Sequence, residues 1–131
     1  MMTDPIADEL TRVRNALAIR QKHVDVPHSR MKQGVAEALK REGYIDGLQV
    51  IDTKPFRTLR IRLKYGADRE EVIHHLQRVS RPGRRIFSGV ADMKPVHEGL
   101  GVFIVSTSKG ILSDRECKQR NLGGEILAEV W

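Results

Sequence analysis

Thr58-Leu59-Arg60-Ile61-Arg62-Leu63-Lys64-Tyr65 is the stretch that decides the class of this chain. Apolar and polar side chains alternate through all eight positions, the period of a strand whose successive side chains point to opposite faces. Leu59, Ile61, Leu63 and Tyr65 make the face to be buried. Thr58, Arg60, Arg62 and Lys64 make a face with three cations, which suits water. A strand wet on one side belongs to an antiparallel sheet.

Working outward toward the N-terminus, Tyr44 to Ile51 reads as a second strand, joined to the first through Thr53-Lys54-Pro55. Before it lies a helix capped by Ser29, with Met31, Val35 and Leu39 as its apolar positions and Gly43 suited to end it in the left-handed conformation. Val24 to Val26 is a short strand that Pro27 stops. Asp4-Pro5 opens a first helix, since Asp accepts from orphan N–H groups and proline suits the first helical position. Ile6, Leu10, Val13 and Leu17 then recur at helical spacing as one buried stripe.

Beyond Tyr65, Gly66 breaks the strand. Asp68 with Glu71 reads as a capping box for a third helix, with Val72, Leu76 and Val79 inside. On that helix the neighbours His74 and His75 diverge by about 100° and are poorly placed to share a metal. Arg81-Pro82-Gly83-Arg84-Arg85 is a turn, and Ile86-Phe87 starts a strand. Gly99-Leu100-Gly101 leads into the strand Val102 to Val105, followed by the loop Ser106-Thr107-Ser108-Lys109-Gly110. Ser113 with Glu116 caps a short helix through about Arg120, and Glu125 to Trp131 is a final strand paired inside a sheet. The fold class these elements predict is α+β with two small subdomains. Residues 1–66 run helix-strand-helix-strand-strand; residues 67–131 are mostly β with short helices.

The chain has 131 residues, 40% hydrophobic and 5% aromatic, with a formal net charge of +6. The apolar fraction suffices for a core and excludes wholesale disorder. The longest apolar run is strand-sized, far below the roughly 18 residues a membrane span needs. The opening Met1-Met2-Thr3-Asp4-Pro5 has no basic segment followed by an apolar one, so no secretory signal is expected. The single cysteine, Cys117, excludes an internal disulfide framework and fits a cytoplasmic setting. A basic balance with few aromatics points to a polyanionic partner, nucleic acid first. The charge is uneven: residues 1–65 carry 13 basic and 8 acidic side chains, residues 66–131 carry 10 and 9. The first half is the better electrostatic footprint. The second half must act on nucleic acid by geometry.

Ser106 to Gly110 is the densest set of polar groups, with three hydroxyls, an ammonium and a glycine. Ser106-Thr107-Ser108-Lys109 matches the S-x-x-K pattern of serine acyl-enzymes, which would make Ser106 a nucleophile and Lys109 its base. The companion patterns S-D-N and K-T-G are absent, and Gly110 follows where a helix should begin. A phosphate loop needs G-x-x-x-x-G-K-[ST], which is absent, and Gly99 and Gly101 precede a strand rather than follow one. The same loop also suits recognition without chemistry: hydroxyls bond phosphate, sugar or base edges, lysine adds one charge, and glycine permits close approach. An ordinary polar turn with a helix cap is the plain alternative. Arg30 and Lys32, in a first helical turn where the macrodipole disfavours cations, would suit a phosphate. The five histidines show no metal-ligand spacing, and cations near Cys117 can lower a thiol pKa, although an incidental helix cysteine is the plainer account.

Taken in order, these residues resemble a family. Asp4-Pro5-Ile6-Ala7-Asp8 with Leu10-Thr11-Arg12-Val13-Arg14-Asn15-Ala16 looks like the opening of the eighth small-subunit ribosomal protein. Val26-Pro27 with Ser29-Arg30-Met31-Lys32 and Leu39-Lys40-Arg41-Glu42-Gly43-Tyr44-Ile45 continue the likeness. Arg78-Val79-Ser80-Arg81-Pro82-Gly83, Gly99-Leu100-Gly101, Ser106-Thr107-Ser108-Lys109-Gly110, Asp114-Arg115-Glu116 and Leu122-Gly123-Gly124-Glu125 carry it through the second half. The resemblance implies a non-enzymatic protein that binds small-subunit ribosomal RNA early in assembly, beside neighbouring small-subunit ribosomal proteins, in the cytoplasm. It implies no cofactor and no small-molecule substrate. It implies RNA contacts from Ser106, Thr107, Ser108, Lys109 and Gly110, with Glu125 beside them bonding amino groups or bracing the loop. It implies backbone contacts from Asp4, Pro5, Ser29, Arg30 and Lys32. Arg84 and Arg85 are further candidates, Arg84 standing where the family often has an apolar residue. Bacterial members also repress their own operon by binding its mRNA. Cys117 stands where a small residue is usual, and His97-Glu98 and Phe56-Arg57-Thr58 fall in variable stretches.

Overall fold

The structure, a computed structural model, describes residues 4–131. Met1, Met2 and Thr3, part of the opening read above, lie outside the described residues. Helix α1, Pro5–Ala18, starts as expected: the Asp4 carboxylate accepts the Ala7 N–H, and Ile6, Leu10, Val13 and Leu17 are buried. Strand β1, His23–Pro27, leads to helix α2, Arg30–Arg41, where the Ser29 hydroxyl accepts the Lys32 N–H. Gly43, at φ +83°, ends that helix. Strands β2, Ile45–Thr53, and β3, Phe56–Leu63, form a hairpin, and β1 pairs with the other edge of β3. The resulting sheet is antiparallel, in the order β1-β3-β2. Leu59, Ile61 and Leu63 are buried, while Arg60 meets Asp25 across the wet face at 2.9 Å.

The third helix does not form. Residues 67–69 make a turn, with Arg69 at φ +64°, residues 70–75 are irregular, and strand β4 follows at Leu76–Arg78. Two observations explain the departure. Glu70, not Glu71, turns back to accept the Asp68 N–H at 2.8 Å, so the capping box is never made. The final strand β8, Gly124–Val130, needs a partner along its free edge, and β4 supplies it, Leu76 facing Val130 and Arg78 facing Ala128. Unmade, those backbone bonds would leave buried polar groups without partners. β-branched Val72, Ile73 and Val79 favour the extended state. The side chains buried there are Ile73 and Leu76, with Val72 and Val79 half-buried.

Strand β5, Phe87–Ser88, continues the β8 edge, pairing at Glu125 and Gly124. Two 3-10 turns, at Val90–Asp92 and Val96–Gly99, lead to β6, Val102–Thr107. Strand β7, Gly110–Ser113, follows at once, and helix α3, Asp114–Arg120, after it. The Ser113–Glu116 capping box is complete. Asn121, at φ +55°, turns the chain out of α3. The second sheet runs β4-β8-β6-β7, so β8 is central, as expected of a final strand paired inside a sheet.

The main core joins both sheets: Leu10, Val35, Leu39, Leu59 and Ile61 pack in one cluster with Ile104, Leu127 and Val130. A smaller cluster under α3 contains Met93, Val105, Leu112, Cys117 and Ile126. Burial pushes the Cys117 thiol up, and Asp114 and Glu116 add to it, so the cations nearby do not lower it. Helix α2 also departs from its expected pattern. Met31 is 44% exposed, whereas Lys32 is buried, its Nζ donating to the Pro27 carbonyl at 3.0 Å. The first turn of α2 lies at the rim of the core, where a long ammonium stem reaches an inner carbonyl and a methionine faces a cleft.

Candidate nucleic-acid interface

The Ser106–Gly110 segment is the tip of a β-hairpin, not a loop running into a helix. The sequence left out β7, four residues too short to show a period. Ser106 pairs with Ile111 and Thr107 with Gly110, so Ser108 and Lys109 form the exposed two-residue turn. Gly110 sits at φ +108°, where a side chain would strain the backbone. The Thr107 hydroxyl braces the turn from inside: it donates to the Gly110 carbonyl at 2.8 Å and accepts the Lys109 N–H at 3.1 Å. Thr107 is therefore spent on shape. The Ser108 hydroxyl and the Lys109 ammonium have no protein partner among the described residues. A rigid arm presenting one hydroxyl and one ammonium suits polar recognition. The acyl-enzyme arrangement is not built: no hydrogen bond joins Ser106 to Lys109, and the pair spans a turn rather than opening a helix.

Across the sheet, Ser106 faces Glu125 on β8. The close approach of these strands needs Gly124, where a Cβ would collide with the Ser106 carbonyl oxygen. Glu125 is 7% exposed and both its oxygens are taken by Arg85, at 3.0 Å from Nε and 2.6 Å from Nη2. The hydrogen bond from Arg85 holds its carboxyl below the usual range, against the opposing effect of burial. Arg85 in turn lies over the exposed Phe87 ring, 5.4 Å from its centroid.

Beside Arg85 opens a cleft of about 410 Å³ that brings together Asp4, Pro5, Ser29, Arg85 and Glu125. Residues 4, 29 and 85 are far apart in sequence. They meet because the N-termini of α1 and α2 both reach the 78–85 segment. Arg78, Arg81 and Met31 also line the cleft. Arg78 is committed to the fold, with its Nε on the Asp4 carboxylate at 3.1 and 3.2 Å and its Nη1 on the Leu127 carbonyl at 2.7 Å. Arg81 is exposed with no acidic partner among the described residues. Neither arginine was singled out from the sequence, although both stand in the Arg78–Gly83 motif. Their neighbours become visible only once β4 pairs with β8.

The remaining candidates divide. Arg30 is exposed at the start of α2. Arg84 is exposed but lies in an adjoining cleft with Gln77 and Glu129, apart from Arg85. Lys32 faces the interior beside Glu9. The surface therefore consists of a hairpin tip, a cleft at the meeting of two helix N-termini, and four cations, Arg30, Arg81, Arg84 and Lys109, without acidic partners among the described residues. Among the described residues, no group of His, Cys, Asp or Glu is placed to hold a metal ion.

Comparison with known proteins finds relatives that match over nearly the full length of the chain. Residues 4–131 match the family model described as ribosomal protein S8. The chain is 51% identical over 132 residues to the small ribosomal subunit protein uS8 of Rhodopirellula baltica, covering 99% of each chain. It is 50% identical over 131 residues to uS8 of Streptococcus equi subsp. zooepidemicus, covering 100% of this chain and 99% of that one. It is 48% identical over 138 residues to uS8 of Thermus thermophilus, covering 100% of both. Matched from its first capped helix to its last strand, the chain belongs to the ribosomal protein S8 family.

Proposed function

We propose that this protein is a non-enzymatic constituent of the small ribosomal subunit that binds small-subunit ribosomal RNA in the bacterial cytoplasm, beside other small-subunit proteins. The relatives' names support the setting. The observation that carries the mode of binding is the hairpin tip: its one unpartnered hydroxyl and one unpartnered ammonium are held on a turn that Thr107 and Gly110 fix in advance. Such an arm suits an irregular RNA helix with an unstacked base, where shape, sugar and base edges matter more than charge. Ser108 and Lys109 make direct contacts; Ser106, Thr107, Gly110 and Glu125 position them. Glu125 braces rather than contacts, because it is buried and Arg85 holds it through both oxygens.

The division of labour follows the two sheets. Residues 67–131 read the shape of the RNA. Residues 1–66 meet its backbone at the cleft, through Asp4, Pro5 and Ser29 and the free cation Arg30. Arg81 and Arg84 add phosphate contacts from the other side. Binding of an operon mRNA that mimics the ribosomal site is a further part of the proposal, resting on family resemblance. Gel-shift titration of a ribosomal RNA fragment and the operon leader against the same protein tests it. Competition of one RNA for the other supports a shared surface, and leader binding no tighter than that of an unrelated hairpin removes this part.

A further inference from the structure

Helix α2 is fastened to the back of the recognition hairpin at two points. Midway along it, Gly34 lies against β7: a Cβ there would stand 2.6 Å from Ile111 Cγ1. In its last turn Arg41 spans the gap. Its Nε and Nη2 donate to the two Glu116 oxygens, each at 3.0 Å, and Nη2 also donates to the Ile111 carbonyl at 2.9 Å. Ile111 is the cross-strand partner of Ser106. Glu116 also accepts the Ser113 N–H at 3.0 Å as part of the α3 cap. One guanidinium thus ties α2, the returning strand of the hairpin and the start of α3. A half-exposed ion pair adds little to stability, but a bidentate fork fixes orientation. The same helix begins at Ser29 and Arg30, on the cleft side of the surface.

We propose that Arg41 is a positioning residue for RNA recognition, setting the hairpin against α2 so that Ser108 and Lys109 engage the same RNA as Ser29 and Arg30. This rests on the reading of the hairpin as an RNA contact. Arg41→Ala, Arg41→Lys, Glu116→Gln and the Arg41→Ala/Glu116→Gln double variant are titrated into a folded small-subunit ribosomal RNA fragment over a range of salt, with Ser108→Ala in parallel. Glutamine at 116 keeps the capping box, since its amide oxygen can still accept the Ser113 N–H. Each single variant at 41 or 116 is expected to weaken binding about five- to tenfold. The double variant should be no weaker than either single one. The salt slope stays parental, and hydrogen exchange at the Ile111 and Lys109 amides rises. Lysine at 41 keeps the charge but loses the fork, so it behaves like alanine. Parental affinity in Arg41→Ala or Arg41→Lys overturns the proposal. So does a slope reduced by about one in Arg41→Ala with parental or tighter binding in Glu116→Gln, which makes Arg41 a phosphate contact. Parental affinity in Ser108→Ala, with the Arg41 variants weakened, removes the hairpin reading instead.

Discussion

Ser108 and Glu9 are opposite cases of an unpartnered polar group. Ser108 presents its hydroxyl at the exposed turn. Its replacement by alanine is expected to weaken RNA binding by about 1–3 kcal/mol with no change in melting temperature, as for a contact buried only in the complex. Calorimetric titration checks this, and parental affinity would take Ser108 out of the interface. Glu9 is 1% exposed, and neither carboxyl oxygen has a hydrogen-bond partner. Burial pushes its pKa up to about 8, with Lys32 drawing it partly back. The unfolded chain ionises this group near 4.5. From there to about pH 8 the unfolded state loses a proton that the folded state keeps, so stability falls as pH rises and levels off above 8. Glu9→Gln removes this dependence. Its stability advantage opens above pH 4.5 and reaches about 3 kcal/mol at pH 7, at roughly 1.4 kcal/mol per unit. Urea melts at pH 5, 6, 7 and 8 measure it, and a gap constant with pH contradicts it. The Asp4 and Ser29 caps were legible because capping is local. The inward turn of Lys32 was not, because it depends on Glu9 and Pro27 arriving from other elements.

The hairpin β6–β7 and the missing third helix show where patterns within single elements fail. Eight alternating residues were enough to place β3. Four residues of β7 were too few, so a hairpin read as a loop. The 68–79 segment carries a helical spacing and still forms no helix: it turns, runs irregularly, and ends in strand β4, because β8 needs a strand beside it more than the segment needs its own helical turns. What makes the hairpin tip a defined arm is its glycine. Gly110→Ala places a side chain at φ +108° and is expected to cost about 1–2 kcal/mol in stability. It also lowers RNA affinity, because the Thr107–Gly110 bond that shapes the turn is displaced. Thermal melts and titration read the two effects, and an unchanged affinity would mean that the tip need not be preformed.

At the level of the whole molecule, the uneven charge and the position of the interface do not coincide. Among the described residues, the candidate surface carries four cations without acidic partners, while Arg78 and Arg85, which line the same cleft, are each held by a carboxylate. Of those four cations, only Arg30 lies in the more basic first half. The net charge and its bias toward the first half were readable from composition. The cleft was not, because residues 4, 29 and 85 meet only through the shared core. Recognition on this account is set by shape, with a small electrostatic share. The most direct test is to titrate the protein into a folded small-subunit ribosomal RNA fragment and into an unrelated hairpin at several salt concentrations. The account predicts tight binding to the fragment, much weaker binding to the hairpin, and a log–log salt slope no steeper than about −4, as for roughly four phosphates neutralised. Equal binding to both RNAs with a steep slope would contradict it, and would leave the net charge of +6 as the whole basis of association.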